Sequence, residues 1–218
     1  SKCEGRYGMG PQDLEPYDFY TNPSLTHQRD TAFDLLRLLN IKGKNKSYDV
    51  FYEHKNKLKA LSFLTKFGPE IVTVGLNIEG SNDEKRISVK DVRNIIFGLY
   101  SINKNIAIIL IHKPDERENM AQLIPIEAST YVSLSYPTPS VLDLAALVDN
   151  LDLIISPDTS IVHMACAFKK PLVAIYRNNP TLFGIWYPIS DVNYVVFSKR
   201  PDSLKDIDIE EVIDKSSK

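Results

Sequence analysis

From residue 70 onward, apolar runs alternate with amphipathic segments at a steady interval, and that alternation decides the fold class. "EIVTVGL", "NIAIILI", "TYVSL", "DLII", "PLVAIY" and "NYVVF" read as strands. Between them "SVKDVRNIIFGLYSI", "DERENMAQLI", "SVLDLAALVDN" and residues 160–168 read as helices, and "DIEEVID" is a terminal helix. The longest strands carry apolar residues on both faces. Such strands need cover on both sides, which a parallel sheet between two helical layers provides. A doubly wound, Rossmann-like α/β domain is therefore expected over 70–218. Ser88 and Ser140 each stand directly before a helical pattern, where an N-cap is wanted.

The first 69 residues follow no such rhythm. Residues 1–26 are rich in Gly, Pro and Tyr without periodicity and read as an irregular lead-in. Residues 27–69 read as a linker. "THQRDTAFDLLRLLNI" gives a helical face with Gly43 placed to stop it, "YDVFY" (48–52) alternates like a strand, and "HKNKLKALSFLTKFG" (54–68) is an amphipathic helix ending at a glycine. A chain of 218 residues has room for one good domain and an appendage. Its formal net charge of −2 gives no basic field for nucleic acid or an anionic membrane. No apolar run is long enough to span a bilayer, and "SKCEGRYGMG" lacks the apolar core of a signal peptide. Cys3 and Cys166 are too few and too far apart for a disulfide framework or a CxxC site. A reducing, intracellular compartment is expected, with Cys166 as a small core residue.

Ligands of open parallel sheets lie beyond the carboxyl ends of the strands, so the residues following each strand are the candidates. After "IVTVGL", Gly80 and Ser81 can form a small loop of exposed amides, with Lys85 and Arg86 beside it. Backbone amides and a lysine can share a phosphate's charge. A solvated loop explains the same residues, and neither GxxxxGK[ST] nor GxGxxG is present. After "AIILI", Asp115 or Glu116 can hold ribose hydroxyls, although acids are also ordinary in a first helical turn. After "DLII" stand Asp158, Thr159 and Ser160, with His163 one turn on. Thr159 or Ser160 can cap the helix, Asp158 can accept its free amides, and the remaining amides favour an anion. His163 can donate to a phosphate or support a leaving group. Three polar groups converging at the ligand edge favour a functional reading over a plain cap. After "PLVAIY", Arg177 opens an apolar loop with Phe183, Gly184, Trp186 and Tyr187, suited to closing over a ligand or to packing on the domain. His27, His54 and His112 show no metal-binding pattern, and no GxSxG elbow appears.

The run "DLIISPDTSIVHMACAFKKPLVAIY" resembles the hallmark of glycosyltransferase family 9, the ADP-heptose:lipopolysaccharide heptosyltransferases. The family pattern is a strand, D-T-G, two variable residues, H-x-A-x-A, then a link to Pro and another strand. Asp158, Thr159, His163, Ala165, Ala167 and Pro171 fit it. "GSNDEKRIS" resembles the family's phosphate loop with its lysine at Lys85, and "HQRDTAFDLLRLLNI" its interdomain helix. The likeness extends from about residue 27 to 215. It implies the GT-B architecture, in which two Rossmann-like domains face a cleft. This chain would be the C-terminal, donor-binding half with the linker and a remnant of the first domain. The acceptor and the carboxylate general base belong to the family's N-terminal domain, so this chain alone would bind donor and transfer inefficiently. The resemblance further implies inverting, metal-independent transfer of a heptose-like sugar from an ADP-sugar or other nucleotide-sugar to a lipopolysaccharide- or lipooligosaccharide-type glycolipid. Lys85, Ser81, Gly80 and the amides of 159–161 would hold the diphosphate, Asp158 the sugar hydroxyls, Glu116 the ribose, and His163 the loop or phosphates. The catalytic set would be Lys85, Asp158 and His163. No metal or other cofactor, no nucleic acid and a monomeric state are expected, in the cytoplasm or at the inner face of a bacterial inner membrane. Ser160 replaces the glycine after D-T, Ile87-Ser88 replace the usual Trp-Pro, and Arg177 replaces the glycine after the last hallmark strand.

Two other readings differ in class. One is a non-catalytic GT-B-like module that keeps the nucleotide site without transfer activity. The other is a different nucleotide-handling α/β enzyme, against which the missing P-loop and GxGxxG argue.

Overall fold

The apolar runs pair side by side in the computed structural model, which describes residues 7–9, 19–21, 27–43, 47–80 and 82–218. Among them β1 (Tyr7–Met9) and β2 (Phe19–Thr21) form a parallel pair of their own. The main sheet contains β3 (Val72–Asn77), β4 (Ile106–Ile111), β5 (Val132–Leu134), β6 (Leu153–Pro157), β7 (Leu172–Tyr176) and β8 (Asn193–Phe197). Its order is β5-β4-β3-β6-β7-β8, and every neighbouring pair is parallel. The chain therefore starts in the middle at β3, runs outward to β5, returns to lay β6 against β3, and runs out again to β8. That is the doubly wound arrangement, with its topological switch between β3 and β6. A doubly wound, Rossmann-like sheet is thus what the alternating pattern encodes.

Two-sided burial explains why these strands lack polar alternation. Val74, Leu76, Ile108, Leu110, Ile155, Val173 and Ile175 join one core with Val92, Ile95, Ile96 and Leu99 of α3 (Val89–Ile102) and Val212 of α8 (Ile209–Ser216). The intervening positions face the opposite layer. There Gly75 leaves so little room that a β-carbon would stand 2.7 Å from Leu151 Cδ1 and 3.0 Å from Ile154 Cδ1. That layer is built from α2 (His54–Leu64), α5 (Val141–Asn150) and α6 (Ser160–Ala167), with α2 on α5 and α5 on α6. Ser88 and Ser140 cap α3 and α5 as expected, accepting from the amides of Asp91 and Asp143. Cys166 is a buried core thiol, its pKa pushed up to about 11 by burial.

Three expectations are corrected. First, α1 (Gln28–Leu38) stops at Asn40 and not at Gly43. Asn40 takes φ 57°, and the amides of Asn40 and Ile41 return to the carbonyls of Arg37 and Leu36, a left-handed cap that Asn tolerates. Likewise α2 ends at Leu64, short of Gly68. Second, 48–52 forms no strand. Its alternation is real, but Tyr48, Val50 and Tyr52 are the half-buried positions: Tyr52 lies edge-on to Phe168 and donates to Asp149, so the pattern reflects packing on helices and not a ladder. Third, the apolar loop after β7 contains α7 (Pro180–Trp186), because Asn179 accepts from the Leu182 amide and Pro180 presets the first turn.

The chain divides into two compact units. One comprises Ser1–Ser47 and Asn179–Tyr187, and the other Tyr48–Asn178 and Pro188–Lys218. In the smaller unit, the buried His27 lies edge-on to Tyr187 at 4.4 Å, and its Nε2 is 3.1 Å from the Tyr187 carbonyl. No helix among the described residues is long and apolar enough to cross a membrane.

The α2–α5 contact is fastened by Asp143, a buried carboxylate. Asn56 Nδ2 and Lys59 Nζ donate to its Oδ1 at 3.1 and 3.2 Å, and Ser140 Oγ to its Oδ2 at 2.8 Å. Burial raises its pKa, but the three donors outweigh that and hold it below the ordinary 3.8. Asp143→Ala is expected to cost roughly 1–3 kcal/mol in urea unfolding at neutral pH, since it strands the buried Asn56 amide. A depressed folded value means that this contribution is present above pH 3.8 and disappears as pH falls through the folded value. The stability gap between wild type and variant should therefore close on acidification.

Candidate functional site

β3 and β6 end side by side at the switch point, and one amide side chain ties together the loop that leaves β3 and the helix that leaves β6. Asn77, the last residue of β3, is buried. Its Nδ2 group is shared between the Glu79 carbonyl (3.1 Å), Ser156 Oγ (3.0 Å) and Thr159 Oγ1 (3.2 Å), and its Oδ1 accepts from the Glu79 amide (3.2 Å). Thr159 is in turn the N-cap of α6, accepting from the Ile161 amide at 3.3 Å. The loop after β3 and the start of α6 are thus fixed to each other through the buried Asn77, by bonds to Glu79 and Ser156 that are fully buried and one to Thr159 that is partly so.

The loop itself closes on its own backbone. The Ile87 amide bonds the Ile78 carbonyl at 3.0 Å, and Asn82 caps a single 3-10 turn, Asp83–Lys85. Gly80 is required by proximity: a β-carbon there would come within 2.2 Å of Lys85 Cβ and 2.5 Å of the Lys85 carbonyl oxygen. This closure carries Lys85 across the switch point. Its Nζ lies 2.8 Å from Asp158 Oδ2, with both side chains mostly shielded at 20% and 18% exposure. Asp158 therefore receives an ammonium, and of the two expected caps it is Thr159 that serves as the N-cap of α6.

A second charge cluster lies beside the first. Glu79 is only 6% exposed, and both of its oxygens are engaged: Oε1 accepts from Arg86 at 2.9 Å and Oε2 from the Lys113 amide at 3.3 Å. Arg86 also stands 3.9 Å from Glu116 Oε2, which accepts from Asn119 at 2.8 Å. Arg177, just past β7, is 3.7 Å from Glu84 and donates to the Asp202 carbonyl at 3.3 Å. Lys85, Arg86 and Arg177 are thus each paired with a carboxylate.

The sequence-derived candidates separate accordingly. Gly80, Lys85, Asp158 and Thr159 are brought together. Glu116 joins the neighbouring cluster through Arg86, whereas Asp115 is exposed in the turn before it. Ser160 is the exposed first residue of α6. His163 is placed by an edge-on contact with Tyr48 at 5.7 Å. Ser81 lies outside the described residues. Among the described residues, no three His, Cys, Asp or Glu side chains gather into a metal-holding cluster. Sequence reasoning passed over Asn77 and Glu79. The available signal was a polar residue ending an otherwise apolar central strand, with an acid two positions later.

Gly80→Ala is expected to force the loop off Lys85 and to lower stability by roughly 1–3 kcal/mol, because the obstructing atoms are the Cβ and backbone carbonyl of Lys85, which cannot swing aside. Asn77→Ala should cost a similar amount through its unpaired buried partners. Urea unfolding of both variants checks these values.

Comparison with known proteins gives a consistent result. Residues 98–215 match the model of glycosyltransferase family 9 (heptosyltransferase). Among solved structures, a family 9 glycosyltransferase from Veillonella parvula DSM 2008 superimposes with TM-score 0.76 at 18% identity, over 97% of this chain and 65% of that one. E. coli heptosyltransferase WaaC with ADP gives 0.63 at 19%, over 94% and 63%. E. coli ADP-heptose LPS heptosyltransferase II gives 0.64 at 16%, over 80% and 54%. The chain thus spans less than two thirds of the length of each. No match is found among curated proteins. Since the family match takes in more than half of the chain, including β6, α6 and β7 with the Asp158–His163 stretch, the chain belongs to glycosyltransferase family 9.

Proposed function

We propose that this chain is the donor-binding half of a heptosyltransferase-like enzyme, taking an ADP-heptose-like nucleotide sugar. The observation that carries the reading is the Lys85–Asp158 ion pair, held at the switch point beside the Thr159-capped start of α6. Family membership and the fold shared with E. coli WaaC, which was solved with ADP, support it.

In this reading the donor's diphosphate enters against Lys85, Ser81 and the amides opening α6, whose dipole favours negative charge. Lys85 turns part of its charge from Asp158 to the phosphates. Asp158 then accepts hydrogen bonds from sugar hydroxyls, and Glu116 from those of the ribose. An acceptor hydroxyl attacks the anomeric carbon from the face opposite the leaving group, so configuration inverts. The C–O bond to the nucleoside diphosphate breaks, and the departing diphosphate's negative charge is stabilised by Lys85 and the amides in place of a metal ion. His163 supports the loop or the phosphates from the first turn of α6. The acceptor, a lipopolysaccharide-type glycolipid, and the general base that takes its proton are assigned to an acceptor-binding domain of the GT-B type. Action as a monomer, in the cytoplasm or at the inner face of the inner membrane, completes the proposal.

Calorimetric titration with ADP, UDP and GDP, first without metal and then with magnesium, tests it. ADP should bind selectively and without metal. Lys85→Ala should weaken binding about tenfold to a hundredfold, the range for losing a hydrogen bond to a charged group. Unchanged affinity in the variant removes Lys85 from the diphosphate site. Selective binding of UDP or GDP replaces the proposed nucleotide.

A further inference from the structure

Glu79 is a buried carboxylate that the family reading leaves without a role. A carboxylate is costly to bury, and removing either partner of a buried pair is strongly destabilising. Its position is nonetheless specific. It lies two residues beyond β3, its backbone is held at both N–H and C=O by Asn77, and its side chain reaches sideways to the loop after β4. There it accepts from the Lys113 amide, three residues ahead of Glu116. Its other oxygen holds Arg86, which bridges on to Glu116. One acid thus connects the loop carrying Lys85 to the loop carrying Glu116.

Arginine suits the middle position. Its planar, rigid guanidinium hydrogen-bonds Glu79 through Nη2 at 2.9 Å and turns the same nitrogen's charge toward Glu116 at 3.9 Å, an arrangement that a lysine ammonium on a flexible stem holds less well. Glu116 is 28% exposed, so it keeps an accessible carboxylate, while its Oε2 accepts from Asn119 at 2.8 Å and lies 3.9 Å from Arg86 Nη2, an ionic contact without a hydrogen bond.

We propose that Glu79, acting through Arg86, is a positioning residue that orients Glu116 toward the ribose hydroxyls of the donor nucleotide. The chain Glu79–Arg86–Glu116 then sets recognition of the nucleoside, while Lys85–Asp158 governs the diphosphate. The inference rests on the nucleotide-sugar reading above and adds to it a separate element that reads ribose.

The test compares the best binder among ADP, GDP and UDP with its 2′,3′-dideoxy counterpart, by calorimetry, in wild type and variants. Wild type should prefer the hydroxylated nucleotide by about tenfold to a hundredfold, as expected for hydroxyls bonded to a carboxylate. Glu79→Gln keeps the shape but turns an amide toward Arg86, and should reduce that preference to about twofold with the dideoxy affinity unchanged. Arg86→Lys keeps the positive charge beside Glu79 and is the variant safest for folding. It should reduce the preference in the same selective way. A merely structural role would weaken both nucleotides equally, and that result overturns the proposal. So does an undiminished preference in both variants, or a wild type that does not discriminate. If wild type binds none of the three nucleotides, the donor-site reading itself falls and takes this inference with it. If wild type binds and discriminates but the variants weaken both nucleotides equally, or keep the full preference, only the role of Glu79 falls.

Discussion

Everything at the ligand edge of this sheet depends on the side chain of Asn77. β3 and β6 are packed on both faces by apolar side chains, and each has to give way to polar loops at the same place. Asn77 makes that transition by offering two N–H donors and one acceptor where three separate segments meet. Because Asn77 is buried, its bonds are shielded from water, those to Glu79 and Ser156 fully and that to Thr159 in part, and the loop after β3 is held against the cap of α6. The Lys85–Asp158 pair is a result of this. Two partly exposed charges contribute little to stability on their own, and their separation is set by the backbone that brings them together.

The site is also marked by how its charges are arranged. Lys85 and Arg86 come from the loop after β3 and Arg177 from the end of β7, and each faces an acid: Asp158, Glu79 and Glu84. Cations balanced in this way do not collapse onto one another or scatter into solvent, so their positions are fixed before any anion arrives. The same balance sets a threshold for what can bind. In the proposed donor site, a ligand's negative charge has to compete with carboxylates already in place, which a diphosphate does better than a single weak anion.

Much of the sheet was legible because its physics is local. Uninterrupted apolar runs bounded by Ser88 and Ser140 leave little choice other than covered parallel strands, and Asp158-Thr159 could be placed at a strand-to-helix joint by position alone. What escaped was long-range. The alternation in 48–52 is the same whether a strand or a set of helices receives Tyr48 and Tyr52. Asn40 was overlooked as a helix stop because glycine is the usual one, although asparagine adopts the same left-handed backbone. Glu79 looks like one more acid in a polar loop until the fold puts Lys113 and Arg86 on either side of it. The pairing of Lys85 with Asp158 spans 73 positions in the chain, and no local pattern announces it.

The division of the chain between its two units has a topological consequence. The backbone passes from one unit to the other after Ser47, again after Asn178, and a third time after Tyr187. The smaller unit is therefore not an N-terminal appendage that can be trimmed away. Cutting the gene at residue 48 would leave behind Asn179–Tyr187, an insert carrying Leu182, Phe183, Trp186 and Tyr187, deprived of the His27 side chain that Tyr187 packs against. The natural boundary of this molecule is discontinuous in sequence, and a minimal fragment holding the six-stranded sheet would require a redesigned crossing between β7 and β8, not a shorter N-terminus.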